Sequence, residues 1–341
     1  MNQNLKCSMP FYHTEITNDE QYICCPGWLP ESIKETPDFE RNFYGKKAME
    51  IRESILDNSY KFCKENLCPH LSRHNKGLSS PVFIDKSDPI FKSPKPKWVY
   101  FGFDISCNLQ CPSCRSEIIN FIGKDRKKMD IMLDSITSQL GEYIENIGMC
   151  GGAEPFFSKT MIKFMREFDA SRFPKLKTIH LHTNGTLWNK NSWNAISRVH
   201  RYIETCEISM DAGTESTYNI VRVGGNWGVL MHNIEFVLTI ARLKFIRFSF
   251  VVQQRNYKDM ENFYNLITLK MKNSNKKFEI FYNPIVEWGE FKTQNNFQTQ
   301  EIHNPMHPEY KEFLTELYKI HRKPKVVHGF SGNILEKITL I

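Results

Sequence analysis

From residue 98 the chain alternates short apolar runs with longer stretches whose apolar positions recur at helical spacing. The runs are WVYFGFDI (98–105), ENIGMC (145–150), LKTIHLHT (176–183), TCEISMD (205–211), IRFSFVVQ (246–253) and FEIFYNPIV (278–286). Runs of this length between turn-forming residues predict strands. The intervening stretches predict helices at Met129–Gln139, 159–168, 191–200, 227–243 and 260–270. Strands alternating with helices imply right-handed crossovers and a parallel sheet, here an α/β fold curved as a partial (β/α)6 barrel over residues 98–290. In such barrels the chemistry lies at the C-terminal ends of the strands. The polar motifs described below fall at those ends.

The flanking segments read differently. Residues 1–76 carry five of the ten cysteines, Cys7, Cys24, Cys25, Cys63 and Cys68. Between them ERNFYGKKAMEIRESILDNSYKFC (40–63) predicts one helix with Ala48, Ile51, Ile55 and Leu56 on its apolar face. So short and polar a region needs a staple such as a metal centre to pack. Residues 77–97 are dense in Pro, Ser and Lys and read as an inter-domain linker without a regular element. The tail, 291–341, has one convincing helix at 308–323 and is read as a C-terminal extension.

Composition narrows the class. The 341 residues are 40% hydrophobic, which suits a soluble globular protein rather than a disordered one. No apolar run is long enough to span a bilayer, and the first residues lack a basic segment followed by an apolar core, so a cytoplasmic location is expected. In that compartment cysteines are metal ligands more often than disulfides. The formal charge of +7 is scattered, and no interleaving of basic and aromatic residues points to nucleic acid.

The densest chemistry is Cys107-Asn-Leu-Gln-Cys111-Pro-Ser-Cys114, directly after the first barrel strand. Thiolate is the usual protein ligand of iron–sulfur centres, and three cysteines on a four-cornered [4Fe–4S] cluster leave one iron open to a small molecule. Zinc is the competing occupant, but it wants a fourth nearby Cys or His, and the next histidine is His180. Three buried structural thiols are the remaining alternative.

This loop, with Gly151-Gly152-Ala153-Glu154-Pro155 after the second strand, Thr183-Asn184-Gly185 after the third and Ser209-Met210-Asp211 on the fourth, resembles the radical S-adenosylmethionine enzymes over roughly residues 98–290. The resemblance implies a [4Fe–4S] cluster on Cys107, Cys111 and Cys114. It also implies S-adenosylmethionine on the open iron, cleaved to a 5′-deoxyadenosyl radical. Gly151, Gly152, Glu154 and Pro155 would then meet the methionine end, with the glycines admitting close backbone approach and the carbonyls and Glu154 suiting an ammonium. Ser209 would contact the carboxylate or ribose, and it is expected to share a strand face with Asp211. Arg222 is a candidate carboxylate clamp, Asn184 and His182 candidate cavity residues, and Gln253 a candidate ribose contact. Ser113 stands where many members carry an aromatic residue near the adenine, so the adenine would be held otherwise, by backbone near Pro284–Val286.

The amino-terminal cysteines resemble SPASM or twitch auxiliary-cluster modules, although such modules usually follow the barrel. The resemblance implies a second iron–sulfur cluster on Cys7, Cys63, Cys68 and Cys24, with Cys25 the other choice for the fourth ligand and zinc the other metal. The implied activity is oxidation or cross-linking of a small-molecule, sugar-like or peptide substrate. The electron would come from a donor such as flavodoxin or ferredoxin, and the second cluster would act as acceptor. The other expectations are an epimerase with Cys150 or Cys206 as hydrogen donor, or an iron–sulfur protein without catalysis; the catalytic candidates overall are Cys150, Cys206, Asp211 and His182.

Overall fold

The computed structural model describes residues 4–17, 20–149, 152–287, 297–330 and 332–338. Cys150 and Gly151, both expected near the cofactor, lie outside the described residues. The architecture is mixed α/β with a large, mostly parallel sheet, and the chain divides into two compact units.

Unit 1 comprises Met1–Asp104, Ile122–Gly151 and Glu167–Ile179. Its strands are β1 (Leu5–Cys7), β2 (His13–Thr17), β3 (Gln21–Tyr22), β4 (Phe83–Asp85), β5 (Trp98–Gly102) and β6 (Asn146–Met149). Its helices are α1 (Met9–Tyr12), α2 (Phe39–Phe43), α3 (Lys46–Leu56), α4 (Pro69–Asn75) and α5 (Gly123–Leu140). Three features depart from the sequence reading. The single helix expected over 40–63 is two helices broken at Gly45, where a Cβ would meet the Glu35 carboxylate at 2.7 Å. α3 stops at Leu56, which is 42% exposed, and the chain then turns through Asn58 and Tyr60 at φ 65° and 46°. Residues 77–97 do contain a regular element. β4 pairs antiparallel with β1, Cys7 opposite Phe83, and its bounding prolines, Pro81 and Pro89, lie outside the ladder where their missing N–H is harmless. Finally, β2 pairs in parallel with β5, Ile16 opposite Phe101, so the cysteine-rich segment contributes a strand to the main sheet of unit 1.

Unit 2 comprises Ile105–Phe121, Gly152–Arg166 and His180–Ile341. It holds α6 (Lys159–Arg166), α7 (Lys190–Ala195), α8 (Glu215–Val221), α9 (Trp227–Thr239), α10 (Met260–Met271), α11 (Phe297–Gln300), α12 (Tyr310–Ile320) and α13 (Gly332–Ile338). β7 (Thr178–Thr183), which begins in unit 1, leads to β8 (Thr205–Ser209), β9 (Phe245–Val252), β10 (Lys277–Pro284) and β11 (Val326–His328). All of these pair in parallel in that order. β11 places a strand in the tail, beyond the single helix expected there.

Alternation along these strands separates two faces. Leu181, Cys206, Ile208, Ile246, Phe248, Phe250, Ile280 and Tyr282 are fully buried on one. His182, Glu207, Arg247 and Glu279 face the other way, as strand period two requires. At the end of β7 the chain turns through Gly185 at φ +74°, with Leu230 only 2.8 Å from where a Cβ would stand, so only glycine fits.

Candidate functional site

The three-cysteine loop belongs to unit 2. The Cys107 N–H donates to Ile119 O at 2.8 Å, and the Cys114 and Arg115 N–H groups donate to Cys111 O at 2.8 and 2.9 Å, which curls 111–115 into a turn. Three side-chain N–H groups reach the three sulfurs. Asn184 Nδ2 is 3.8 Å from Cys107 Sγ, Arg222 Nη1 3.8 Å from Cys111 Sγ and Arg115 Nη2 3.4 Å from Cys114 Sγ. Burial pushes the Cys111 thiol up to about 11 although Arg222 pulls it down. Burial, followed by the Glu154 charge, pushes Cys107 up as well. Cys107 and Cys111, held this way, stay protonated until a cation takes the proton's place, and their donors suit a thiolate better than a thiol.

A further network ties this loop to the ends of the strands. Glu154 is 1% exposed, and its carboxylate accepts from Thr183 Oγ1 and Asn184 N at 2.7 Å each and from Phe156 N at 3.1 Å. Its own N–H donates to Ser106 O at 2.8 Å. The glutamate therefore braces the turn onto the end of β7, and of the roughly four lone-pair sites of a carboxylate one remains on Oε2 for a further donor. Gly152 sits in the same turn. A Cβ there would strike Ile105 Cγ2 at 2.8 Å, and its carbonyl already accepts from Arg115 Nη2. Pro155 is buried in the turn between Gly152 and α6, which begins only at Lys159.

Arg222 closes on Asp211, Nη2 to Oδ2 at 2.8 Å, so its carboxylate here is one of the chain's own. Burial pushes the Asp211 carboxyl up while Arg222 opposes it, and Asp211 also accepts from Val251 N at 2.7 Å. Because β8 ends at Ser209 and Asp211 adopts φ 58°, the period-two rule that was to put both on one face does not extend to it. Ser209 instead hydrogen-bonds His182 Nε2 at 2.7 Å and Ser249 Oγ at 3.0 Å. Two residues before Ser209 and Ser249 on their strands, a row in register crosses four strands: His182, Glu207, Arg247 and Glu279. Arg247 lies 3.4 Å from Glu207 and 2.5 Å from Glu279. Burial raises the Glu207 carboxyl, but His182, Arg247 and a Ser249 hydrogen bond outweigh it and hold the group below the usual range. Gln253 is 1% exposed with its Nε2 unpartnered, as are Arg222 Nε and Tyr218 Oη. Cys206 is fully buried on the opposite strand face, beside Ile208, and is not presented to this row.

Unit 1 carries a second thiol group. Cys7, Cys24, Cys63 and Cys68 line one cavity with Trp28, Tyr60 and Phe83; Cys25 is not among its walls. The cavity has about 320 Å³ of empty space, counting its open mouth. Burial raises all four thiols, to about 12 for Cys63, and neighbouring cysteines add to this at Cys7, Cys24 and Cys63. The Tyr60 hydroxyl is buried there without a hydrogen-bond partner. Among the described residues, no three or more His, Cys, Asp or Glu side chains form a group arranged to hold one metal ion. A cubane cluster takes each cysteine on a different iron, so its ligands need no common point. Three thiols on one loop and four on one cavity are the ligand type such a group takes.

Sequence reasoning missed Arg115, Asn108 and Ser249. Arg115 was legible as the residue after Cys114. Asn108, hydrogen-bonded to Asn184 at 3.0 Å and to Thr186 at 3.0 Å, emerges only when loop and strand end meet.

No helix among the described residues is long and apolar enough to cross a membrane. No family model matches the chain, and no curated protein matches it. Solved structures of three radical S-adenosylmethionine enzymes show some likeness. TYW1 with a lysine–pyruvate adduct bound is 15% identical over 64% of this chain and 70% of its own, with a TM-score of 0.38. anSMEcpe with bound AdoMet and the Cp18Cys peptide is 17% identical over 66% and 59%, at 0.41. Methylornithine synthase (PylB) is 13% identical over 77% and 75%, at 0.39. At these identities and scores the likenesses carry no argument, and the functional reading rests on the site itself.

Proposed function

We propose that this protein is a radical S-adenosylmethionine enzyme with a partial-barrel catalytic domain and an amino-terminal auxiliary cluster. The observation that carries the reading is the convergence on one loop of three thiols, each met by its own N–H donor, beside the braced Gly152–Pro155 turn and the Arg222–Asp211 pair. Cys107, Cys111 and Cys114 would hold a [4Fe–4S] cluster. Reduced by a donor such as flavodoxin or ferredoxin, that group would supply the electron for splitting S-adenosylmethionine into methionine and a 5′-deoxyadenosyl radical.

The chain's own residues do the rest. Glu154 fixes the ends of the strands, and Arg222 places a buried positive charge against Cys111. Gln253 offers an unpartnered buried N–H that suits a ribose hydroxyl or a carboxylate. The polar row from His182 to Glu279, with Ser209 and Ser249, suits a substrate that hydrogen-bonds along its length, which favours a sugar-like molecule or a peptide backbone over an apolar one. The substrate loses a hydrogen atom to the radical, giving 5′-deoxyadenosine, then an electron and a proton. The electron would pass to a second cluster on Cys7, Cys24, Cys63 and Cys68. Epimerisation draws no support from Cys206, whose thiol lies behind the sheet.

Anaerobic reconstitution tests the reading. About eight irons per chain, falling to about four on replacing Cys107, Cys111 and Cys114 with Ala, are expected for two [4Fe–4S] clusters. Reduced protein incubated with S-adenosylmethionine should release 5′-deoxyadenosine, and the triple variant should not. A wild-type protein that binds four irons on that loop yet never cleaves the cofactor would instead be an electron carrier.

A further inference from the structure

We propose that Arg115, Arg222 and Asn184 set how readily the loop cluster accepts an electron, each through an N–H directed at one cysteine sulfur. This rests on the reading that Cys107, Cys111 and Cys114 hold a cluster, and it assigns Arg222 to the cluster rather than to a cofactor carboxylate. The pattern is one donor per ligand: Asn184 to Cys107 at 3.8 Å, Arg222 to Cys111 at 3.8 Å and Arg115 to Cys114 at 3.4 Å. Reduction adds a negative charge to the cluster. Positive charge and N–H donors at the sulfurs stabilise that state and raise the reduction potential.

The three donors are not equivalent. Arg222 is 2.8 Å from Asp211, which offsets most of its charge at a distance. Asn184 brings a dipole only, and its Oδ1 is held by Thr186 N at 3.0 Å and Thr186 Oγ1 at 2.7 Å. Arg115 is fixed by neutral carbonyls, Ile105 O at 2.6 Å and Gly152 O, and the three cysteines are the charges that bear on it most. Its full positive charge is therefore directed at the cluster, and it should have the largest effect. The same two carbonyls explain its geometry: a planar fork reaches both while a third N–H meets the sulfur, and lysine cannot reproduce this.

The test is an EPR-monitored redox titration of the reconstituted chain in which Cys7, Cys24, Cys63 and Cys68 are replaced by Ala, so that one cluster remains. The full chain, read through the signal that changes on adding S-adenosylmethionine, serves if that background does not fold. At the potential where the parent is half reduced, Arg115→Gln should lower the reduced-to-oxidised ratio about tenfold, a shift of about 59 mV for one electron. Arg115→Lys, Asn184→Leu and the paired variant Arg222→Gln with Asp211→Asn, which removes both charges of the offset pair, should shift it the same way by less. If Arg115→Gln loses iron, those three variants carry the test. Unchanged midpoints in variants that keep their iron overturn the inference alone. A parent loop that binds no iron overturns the underlying reading, and the inference with it.

Discussion

Replacing Glu154 by Gln asks whether this carboxylate is a brace or a ligand group. Oε1 accepts from the Thr183 hydroxyl and the Phe156 N–H, and Oε2 from the Asn184 N–H. Glutamine keeps the shape but has one acceptor oxygen. With that oxygen at the Oε1 position, the new NH2 faces the Asn184 N–H where Oε2 now sits at 2.7 Å. In the flipped amide it faces Phe156 and Thr183; the hydroxyl can rotate to accept, but the Phe156 N–H cannot. Either way one buried backbone N–H opposes a donor, which costs about 1–3 kcal/mol. Relief from burying a charge acts in the opposite direction, because burial pushes this carboxyl up. The net expectation is a loss of roughly 1–2 kcal/mol, and Glu154→Ala, which strands all three donors, should lose more. Urea unfolding followed by circular dichroism, at fixed pH and cluster content, reads the difference. A Gln variant within about 0.5 kcal/mol of the parent would refute the brace, since that is the ordinary scatter of uneventful substitutions.

Three further outcomes are expected. Cys24→Ala should remove about four irons per chain while Cys25→Ala removes none, because only Cys24 lines the cavity with Cys7, Cys63 and Cys68; equal losses would reject that ligand set. Asp211→Asn leaves Arg222 buried without its ion partner and should destabilise by about 3–5 kcal/mol, read by chemical unfolding; a near-neutral result would mean that the guanidinium finds another anion. Glu15 is raised by burial to about 7, above its unfolded value, so its contribution is complete below pH 4.5 and is lost as pH rises towards 7. Glu15→Gln should therefore flatten the fall in stability over that range, by about 1–3 kcal/mol at pH 8 with allowance for its partial exposure, and parallel profiles would exclude the effect.

The strands of residues 98–284 and five of their helices were legible because their periodicities are local, whereas α8, seven residues with only Tyr218 and Val221 buried, was not. Each apolar run had to bury one or both faces, whatever its neighbours, and the cysteine spacing is a property of eight consecutive residues. The break at Gly45 was less legible, since Ala48, Ile51 and Ile55 keep helical spacing on one side of it while Glu35 closes the turn from outside the pattern. β4 escaped because a three-residue strand among prolines carries no period, and its pairing with β1 is set across nearly eighty residues of chain.

The sequence by itself determined the inventory: which residues carry thiols, carboxylates and guanidinium groups, and that the motifs follow strand ends in order. Tertiary structure alone decided their partners. It turned Glu154 inward onto Thr183 and Asn184, closed Arg222 on Asp211, put Cys206 behind the sheet and separated Cys24 from its neighbour Cys25. The physical reason is that a buried polar atom must find its complement wherever the fold brings one within about 3 Å, and sequence spacing does not encode that distance.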